Sequence, residues 1–567
     1  MIAGSIRHRR ATLPVTAAAF LCALEAFADV PPALLLHNGN IYTGDPSEPR
    51  AEAVLAVDGR IAYVGTKAGA LLMAPSGARI VDLQGKTVLP GLADAHAHLS
   101  DIGWRELNFD LTGVESLAAL QARLRERAAQ DRNEWMVGIG WIESKWSPAE
   151  FPTRQDLDAA VANRPVLLER ADGHAVVVNS LALRLAGIGR DTLDPEGGQI
   201  LRDPETGQPT GMLIDAAVSL VRRLVPPATD EELARALETG AKRSVSLGWT
   251  QLQIAGTSWR EIDILCRLYA SGRLQLRLYA AIAGPGPDAE RLLGIGRKYE
   301  SCDPRLTVRS IKLFIDGALG SRGAALEEPY SDAPDSRGLF VTPPEEILRI
   351  TIAGLKSGIQ VETHAIGDRG NRLVLDQYEK ALVAVPASER AVPDPRLRIE
   401  HAQVVASRDM PRFAKLGVIA SMQTSHAISD MLFAPARLGP GRIAGAYAWR
   451  SLLDAGALIA GGSDAPVEKG DPLVEFYAAV ARRTLEGHAG PDWGLDQRLT
   501  REEALGVLTA GPAYAAFEEK ERGTITPGKL ADLSVFSADL MTIAEAEIPR
   551  ARAEMTVIGG EIVYQAP

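Results

Sequence analysis

Short apolar runs broken by turn residues open the chain. Leu34–Leu36, Ile41–Tyr42, Val54–Val57, Ile61–Val64 and Ile80–Leu83 alternate with Asn38-Gly39-Asn40, Asp58-Gly59 and Gln84-Gly85-Lys86. Asp-Gly between apolar runs is a strong hairpin signal. This β unit, assigned to residues 29–88, would leave sheet edges exposed if it stood alone. Its complement lies in residues 521–567, where Ala531–Phe536 and Met555–Tyr564 again read as strands joined by tight turns. The two ends are therefore expected to pair into one discontinuous β-sandwich domain.

A different grammar repeats between them. An amphipathic helix ends at a glycine and an apolar strand follows at once, at Gly248, Gly358, Gly417 and Gly456. Glycine just past a helix end takes the left-handed conformation without steric cost. Thr229 and Glu232 form a capping box that opens the first of these helices. Such units in series predict a parallel sheet covered by helices, and eight of them make a barrel of roughly 250 residues. The fold class is thus α/β, with a TIM-type barrel assigned to residues 89–520. That span is too long for a bare barrel, so an insertion is expected at 131–212. It holds Trp135, Trp141, Trp146, Asp172-Gly173-His174 and a turn-rich stretch at 195–211. We read it as a lid or side domain, with its tryptophans as core rather than substrate wall.

Composition is that of an ordinary globular chain, 46% hydrophobic and 23% charged, over 567 residues. A net charge of −11 gives no basic surface for nucleic acid or anionic lipid. The N-terminus carries a basic head, Arg7-His8-Arg9-Arg10, then a mostly apolar run ending in Ala26-Phe27-Ala28. That is the pattern of a signal peptide over residues 1–28, with cleavage after Ala28 and a periplasmic or secreted product that keeps no membrane attachment. No other stretch reads as transmembrane. Cys22 falls in that segment, leaving Cys266 and Cys302 as the two available partners and no disulfide framework.

The candidate chemistry starts at Pro90–Ser100. On a strand His96 and His98 face the same way, with only Ala97 between them. Two imidazoles so placed either grip a metal ion or are hydrogen-bonded core histidines. Later strands supply companions. Lys312 lies inside the apolar run Ser310–Ile315, where an ammonium is costly unless neutral, paired or modified. Ile359–Thr363 runs into His364, Leu397–Glu400 into His401, and Leu458–Ser463 into Asp464. In a barrel, groups at the C-terminal strand ends converge on one mouth.

His-x-His followed by Lys, His, His and Asp at successive strand ends resembles the amidohydrolase superfamily of metal-dependent hydrolases. The likeness sharpens to the branch with N-substituted formamide deformylase and the YtcJ-like proteins (amidohydrolase family 3). It is carried by Asp172-Gly173-His174 with Asn179-Ser180, Lys312–Arg322, His364–Asp368, Glu400–Gln403, Gly462–Glu468 and Pro527–Leu533. One departure is Gln423-Thr424-Ser425-His426, where the family usually has Gln-Pro-x-His.

The resemblance implies that His96, His98 and Asp464 hold one metal and His364 and His401 a second, bridged by Lys312 as its carbamate. The metal would be zinc, as one or two ions, or another divalent ion. A metal-activated hydroxide would then cleave a non-peptide C–N bond of an amide or formamide-like small molecule, with Asp464 acting as general base and then acid. His174, His426 and Arg322 are candidates for orienting the substrate or stabilising an oxyanion, the alternative for each being a structural role. The same site would also serve an esterase, lactonase or cyclic amidase. A non-catalytic exported binder is the rival from another class, and the complete ligand set argues against it. A homodimer is one assembly open to the chain.

Overall fold

The computed structural model describes Met1, Gly4 and residues 32–107, 109–111, 113–130, 134–143, 146–170, 175–195, 198–490 and 493–567. The expected signal peptide falls almost wholly outside the described residues, and so does the Asp172-Gly173-His174 motif. The chain opens with β1 (Ala33–Tyr42), β2 (Arg50–Val57), β3 (Arg60–Gly65), β4 (Arg79–Asp82) and β5 (Thr87–Pro90). Asp58 and Gly59 both take positive φ, +49° and +75°. This is the left-handed pair that a two-residue hairpin requires, and it lays β2 antiparallel to β3. β1 is the branch point, antiparallel to β2 and parallel to both β4 and β5.

β6 (Leu92–Ala97) then enters the barrel. Before the next barrel strand the chain builds a separate six-stranded sheet. Its strands are β7 (Phe109–Asp110), β8 (Met136–Trp141), β9 (Val166–Arg170), β10 (Ala175–Val178), β11 (Gly198–Arg202) and β12 (Pro209–Asp215). This sheet begins before the expected insertion and ends just beyond it. Trp135, Trp141 and Trp146 are all buried. The Trp141 indole N–H donates to the Leu168 carbonyl at 3.0 Å and that of Trp146 to Val114 at 2.7 Å.

The barrel resumes with β13 (Trp249–Thr257), β14 (Arg277–Ala283), β15 (Leu306–Phe314) and β16 (Gln360–Ala365). It is completed by β17 (Arg398–His401), β18 (Ile419–Gln423) and β19 (Ile459–Gly462). With β6 these form an eight-stranded parallel sheet in sequential order. The helices between them stop where the glycines stand. Gly248, Gly358 and Gly417 take φ of +104°, +76° and +67° and end the helices Asp230–Leu247, Pro344–Ser357 and Met410–Leu416. The Thr229–Glu232 capping box is formed. First and last strands meet where the Asp464 N–H donates to the His96 carbonyl at 2.7 Å. Gly462 permits that approach, since a Cβ there would lie 2.5 Å from the His96 nitrogen.

β20 (Leu533–Phe536), β21 (Ala553–Ile558) and β22 (Glu561–Gln565) return to the first sheet. β20 runs antiparallel to β5, with Leu533 opposite Pro90. Strands from both ends thus share one eight-stranded sheet. Cys266, on the helix Trp259–Ala270, and Cys302, before β15, form a disulfide. No helix among the described residues is long and apolar enough to cross a membrane.

Candidate metal centre

The parallel register delivers the polar groups to one end of the barrel. Lys312 pairs with Glu362, His364 with Glu400, and Ala365 with His401, across β15, β16 and β17. His98 follows β6 directly and its N–H donates to the Ala465 carbonyl at 2.8 Å. Two of the residues adopt a left-handed backbone that favours glycine: His401 at φ +73° and Asp464 at φ +57°. Strain of this kind costs on the order of 1–3 kcal/mol and persists where surrounding structure fixes a functional group. Here it is held by the Asp464–His96 backbone bond and by His401 Nδ1, which donates to Gln423 Oε1 at 2.8 Å.

His96, His401 and Asp464 each present a ligand atom within 4.8 Å of the others. His98 Nε2 lies 3.0 Å from Asp464 Oδ1, and His96 Nε2 lies 3.5 Å from the same oxygen. The His364 ring centroid is 4.5 Å from that of His401, and His426 stacks on His401 at 5.9 Å. Among the described residues the grouping of His96, His401 and Asp464 takes one histidine from each of the two metal sites expected from sequence. Lys312 is 1% exposed, with Nζ 4.5 Å from the Phe314 ring centroid.

Burial sets the charge states. It pushes His96 down to about 4 and His364 to about 3, helped in both cases by the Lys312 charge, and carries His401 well below the ordinary range. These imidazoles are neutral at neutral pH and keep a lone pair for a ligand. For Asp464, burial favours the protonated form. The hydrogen bond from His98, first, and the neighbouring imidazoles outweigh it, holding the carboxyl well below the usual range. His426 shows the reverse balance: burial lowers its pKa, but Asp464, Asp430, Glu468 and Glu475 raise it above normal. Desolvation lowers the Lys312 ammonium.

A layer of buried charge underpins these groups. Glu400 accepts from His96 Nδ1 at 2.5 Å and from Arg398 Nε at 2.8 Å. Arg398, also buried, donates to Gln253 at 2.6 Å, to the Ala95 carbonyl at 2.5 Å and to Ser421 at 3.0 Å, and stands 3.3 Å from Glu362. Asp94 accepts from the His96 and Ser463 N–H groups, fixing β6 to β19. Asp316 accepts from the N–H groups of Ala325, Ile366 and Gly367, with His364 Nε2 3.6 Å away. Reading from sequence missed Glu362, Arg398 and Glu400 in these roles. Their signal was a charge inside an apolar strand, the same one that singled out Lys312.

Not every expected residue is brought to this cluster. His426 is, with Nε2 3.6 Å from Asp464 Oδ2. In place of the family's proline before it, Thr424 donates its hydroxyl to Glu475 at 3.0 Å, and the Ser425 N–H donates to the same carboxylate at 2.9 Å. Arg322 is on the outer loop after β15, its side chain 38% exposed, and its ion-pair partner among the described residues is Asp332 at 2.8 Å. His174 lies outside the described residues.

The chain belongs to the amidohydrolase family, whose model matches residues 79–564. It is 34% identical to YtcJ of Bacillus subtilis over 93% of this chain and 99% of that one. It is 30% identical to the N-substituted formamide deformylase of Arthrobacter pascens over 94% of this chain and 98% of the other. Among solved structures, an uncharacterized metal-dependent hydrolase from Pyrococcus furiosus superposes with a TM-score of 0.75 at 29% identity, covering 90% of this chain and all of its own. The protein is thus an amidohydrolase-family enzyme built on a TIM-type barrel with an additional domain.

Proposed function

We propose that the chain hydrolyses a non-peptide C–N bond, of the amide or formamide kind, in a small molecule, using a divalent metal held by His96, His98, Lys312, His364, His401 and Asp464. One observation carries the reading. The Nε2 atoms of His96 and His364 are buried without a hydrogen-bond partner among the described residues, and that of His96 lies 3.5 Å from the ionised carboxylate of Asp464. An orphaned buried acceptor is costly, and a cation answers it. Neutral imidazoles and a carboxylate are a donor set that suits zinc. The relative named N-substituted formamide deformylase supports the choice of bond.

When bound, the ion supplies Lewis acidity, bringing the ionisation of water near neutral pH and polarising a carbonyl. The protein's own groups do the rest. Glu400 and Gln423 fix the tautomers of His96 and His401, so that both keep Nε2 as the donor atom. Asp464, ionised, takes the proton of the attacking water and passes it to the departing nitrogen. His426 stands beside Asp464 and orients the acyl oxygen, with His174 and Arg322 as candidates for the outer part of the substrate. Lys312, driven toward the neutral amine by burial, is a nucleophile for carbon dioxide, and its carbamate is an anionic oxygen ligand. Native mass spectrometry tests this through one added carboxyl unit that disappears in Lys312→Met.

Export belongs to the same proposal. A basic head and apolar run precede the fold, and the Cys266–Cys302 disulfide suits an oxidising compartment. N-terminal sequencing of protein recovered from the periplasm should begin at Asp29, and a product retaining residues 1–28 would contradict it.

The test of function is a screen of the zinc-loaded enzyme against N-formyl and N-acyl amines alongside matched esters and lactones. Turnover confined to the C–N substrates is expected, and turnover confined to the esters or lactones would overturn the assignment.

A further inference from the structure

We infer that the barrel carries a second binding site, at the N-terminal end of β15 and away from the histidine centre, for a small organic oxyanion: a carboxylate or phosphate on a compact apolar body. A cavity of about 290 Å³ lies there. Its wall includes Arg297, Tyr299, Ser301, Thr307, Arg309 and Ile359, and among the described residues no carboxylate lines it. The space exists because β15 outruns its neighbour. Pairing with β16 starts only at Ser310 opposite Gln360, while β14 already pairs with Leu306.

The two arginines are the ligand-seeking groups. Among the described residues Arg309 Nε is buried without a hydrogen-bond partner, and its guanidinium carbon lies over the Phe517 ring, 3.7 Å from the centroid. Among the described residues no carboxylate pairs with it. The contrast is Arg396, on the same ring at 4.5 Å, which has Glu519 at 2.8 Å as an ion-pair partner. Burial and the charges of Arg297 and Arg396 depress the Arg309 pKa. A half-buried guanidinium lacking an acceptor is unfavourable in itself and is well satisfied by a planar or tetrahedral oxyanion.

Arg297 is built in as well. Its stem crosses Gly358, where a Cβ would come within 2.5 Å of Arg297 Cδ, and its Nη1 donates to the Ala391 carbonyl at 3.3 Å. The loop carrying Tyr299 and Ser301 is pinned by the Cys266–Cys302 disulfide and by the Tyr299 ring, 5.5 Å from that of Trp259. Leu306, Val308 and Ile359 give the cavity an apolar side. Hydroxyls, two neighbouring cations and an apolar wall together fit a compact anion rather than a neutral or cationic molecule. The site stands independently of the reaction assigned to the histidine centre.

Isothermal titration of the disulfide-bonded chain with benzoate and with inorganic phosphate tests the site and separates its two sources. Saturable binding of either anion is expected, weakened about tenfold or more in Arg309→Gln. Arg297→Ala should show the same direction of change. Both variants should keep the wild-type melting temperature and hydrolytic rate, so that a folding defect is distinguished from lost binding. No saturable binding of either anion up to about 10 mM, where even a millimolar site would fill, overturns the proposal. Equal affinity in wild type and both variants also overturns it, since the anion would then sit elsewhere.

Discussion

His96 and Glu400, 304 residues apart in sequence, meet in the barrel interior with Nδ1 of the imidazole donating to the carboxylate at 2.5 Å. The bond decides which nitrogen of His96 is free. Because Nδ1 carries the proton, Nε2 turns toward Asp464, and the same carboxylate is locked in place by Arg398.

Glu400→Gln should therefore weaken the metal site without removing any ligand. Losing the anionic acceptor typically costs about 10–100-fold in metal affinity or activity. Competition for zinc against a chelator measures it, and unchanged affinity would mean that the His96–Glu400 bond has no part in holding the site.

Asp464→Asn separates binding from proton transfer. The amide keeps an oxygen but loses the basic carboxylate that the neighbouring histidines hold ionised. Turnover should fall by roughly 10²–10⁴-fold, the range a positioned acid–base group contributes, while most of the metal stays bound. A variant with wild-type turnover would remove Asp464 from the proton-transfer role.

Glu475 gives a pH signature of its own. Burial raises its carboxyl from 4.5 to about 8. Between those values the folded chain holds a proton that the unfolded chain has released, so this group's contribution is full below pH 4.5 and is lost as the pH rises through 8. The loss is roughly 1.4 kcal/mol per pH unit as an upper bound. Glu475→Gln does not titrate, so its stability relative to wild type should increase from pH 5 to pH 8. Urea unfolding midpoints at the two pH values check this, and parallel profiles for the two proteins would contradict it.

The sequence made some of this legible for identifiable reasons. Gly248, Gly358 and Gly417 marked helix ends because only a left-handed residue fits there, and the strands after them could be placed. His96, His98, His364, His401 and Asp464 stood out as polar groups at the ends of apolar runs, and Lys312 as a charge within one. The family resemblance, found from the same motifs, is the family the chain belongs to. What stayed hidden is long-range. Nothing local says that Glu400 faces His96, that Gln423 orients His401, or that Thr424 reaches Glu475. Cys266 and Cys302 were available to each other, but only the fold brings the helix Trp259–Ala270 against the loop before β15.

In the function proposed for this chain, hydrolysis depends on a metal held by the buried histidines and Asp464. Stripping the purified enzyme with a chelator, measuring its metal content and its turnover of an N-formyl amine, and then restoring zinc tests it most directly. Turnover is expected to be lost with the metal and to return as about one to two ions per chain are taken up. Full turnover in protein shown to be metal-free would contradict it.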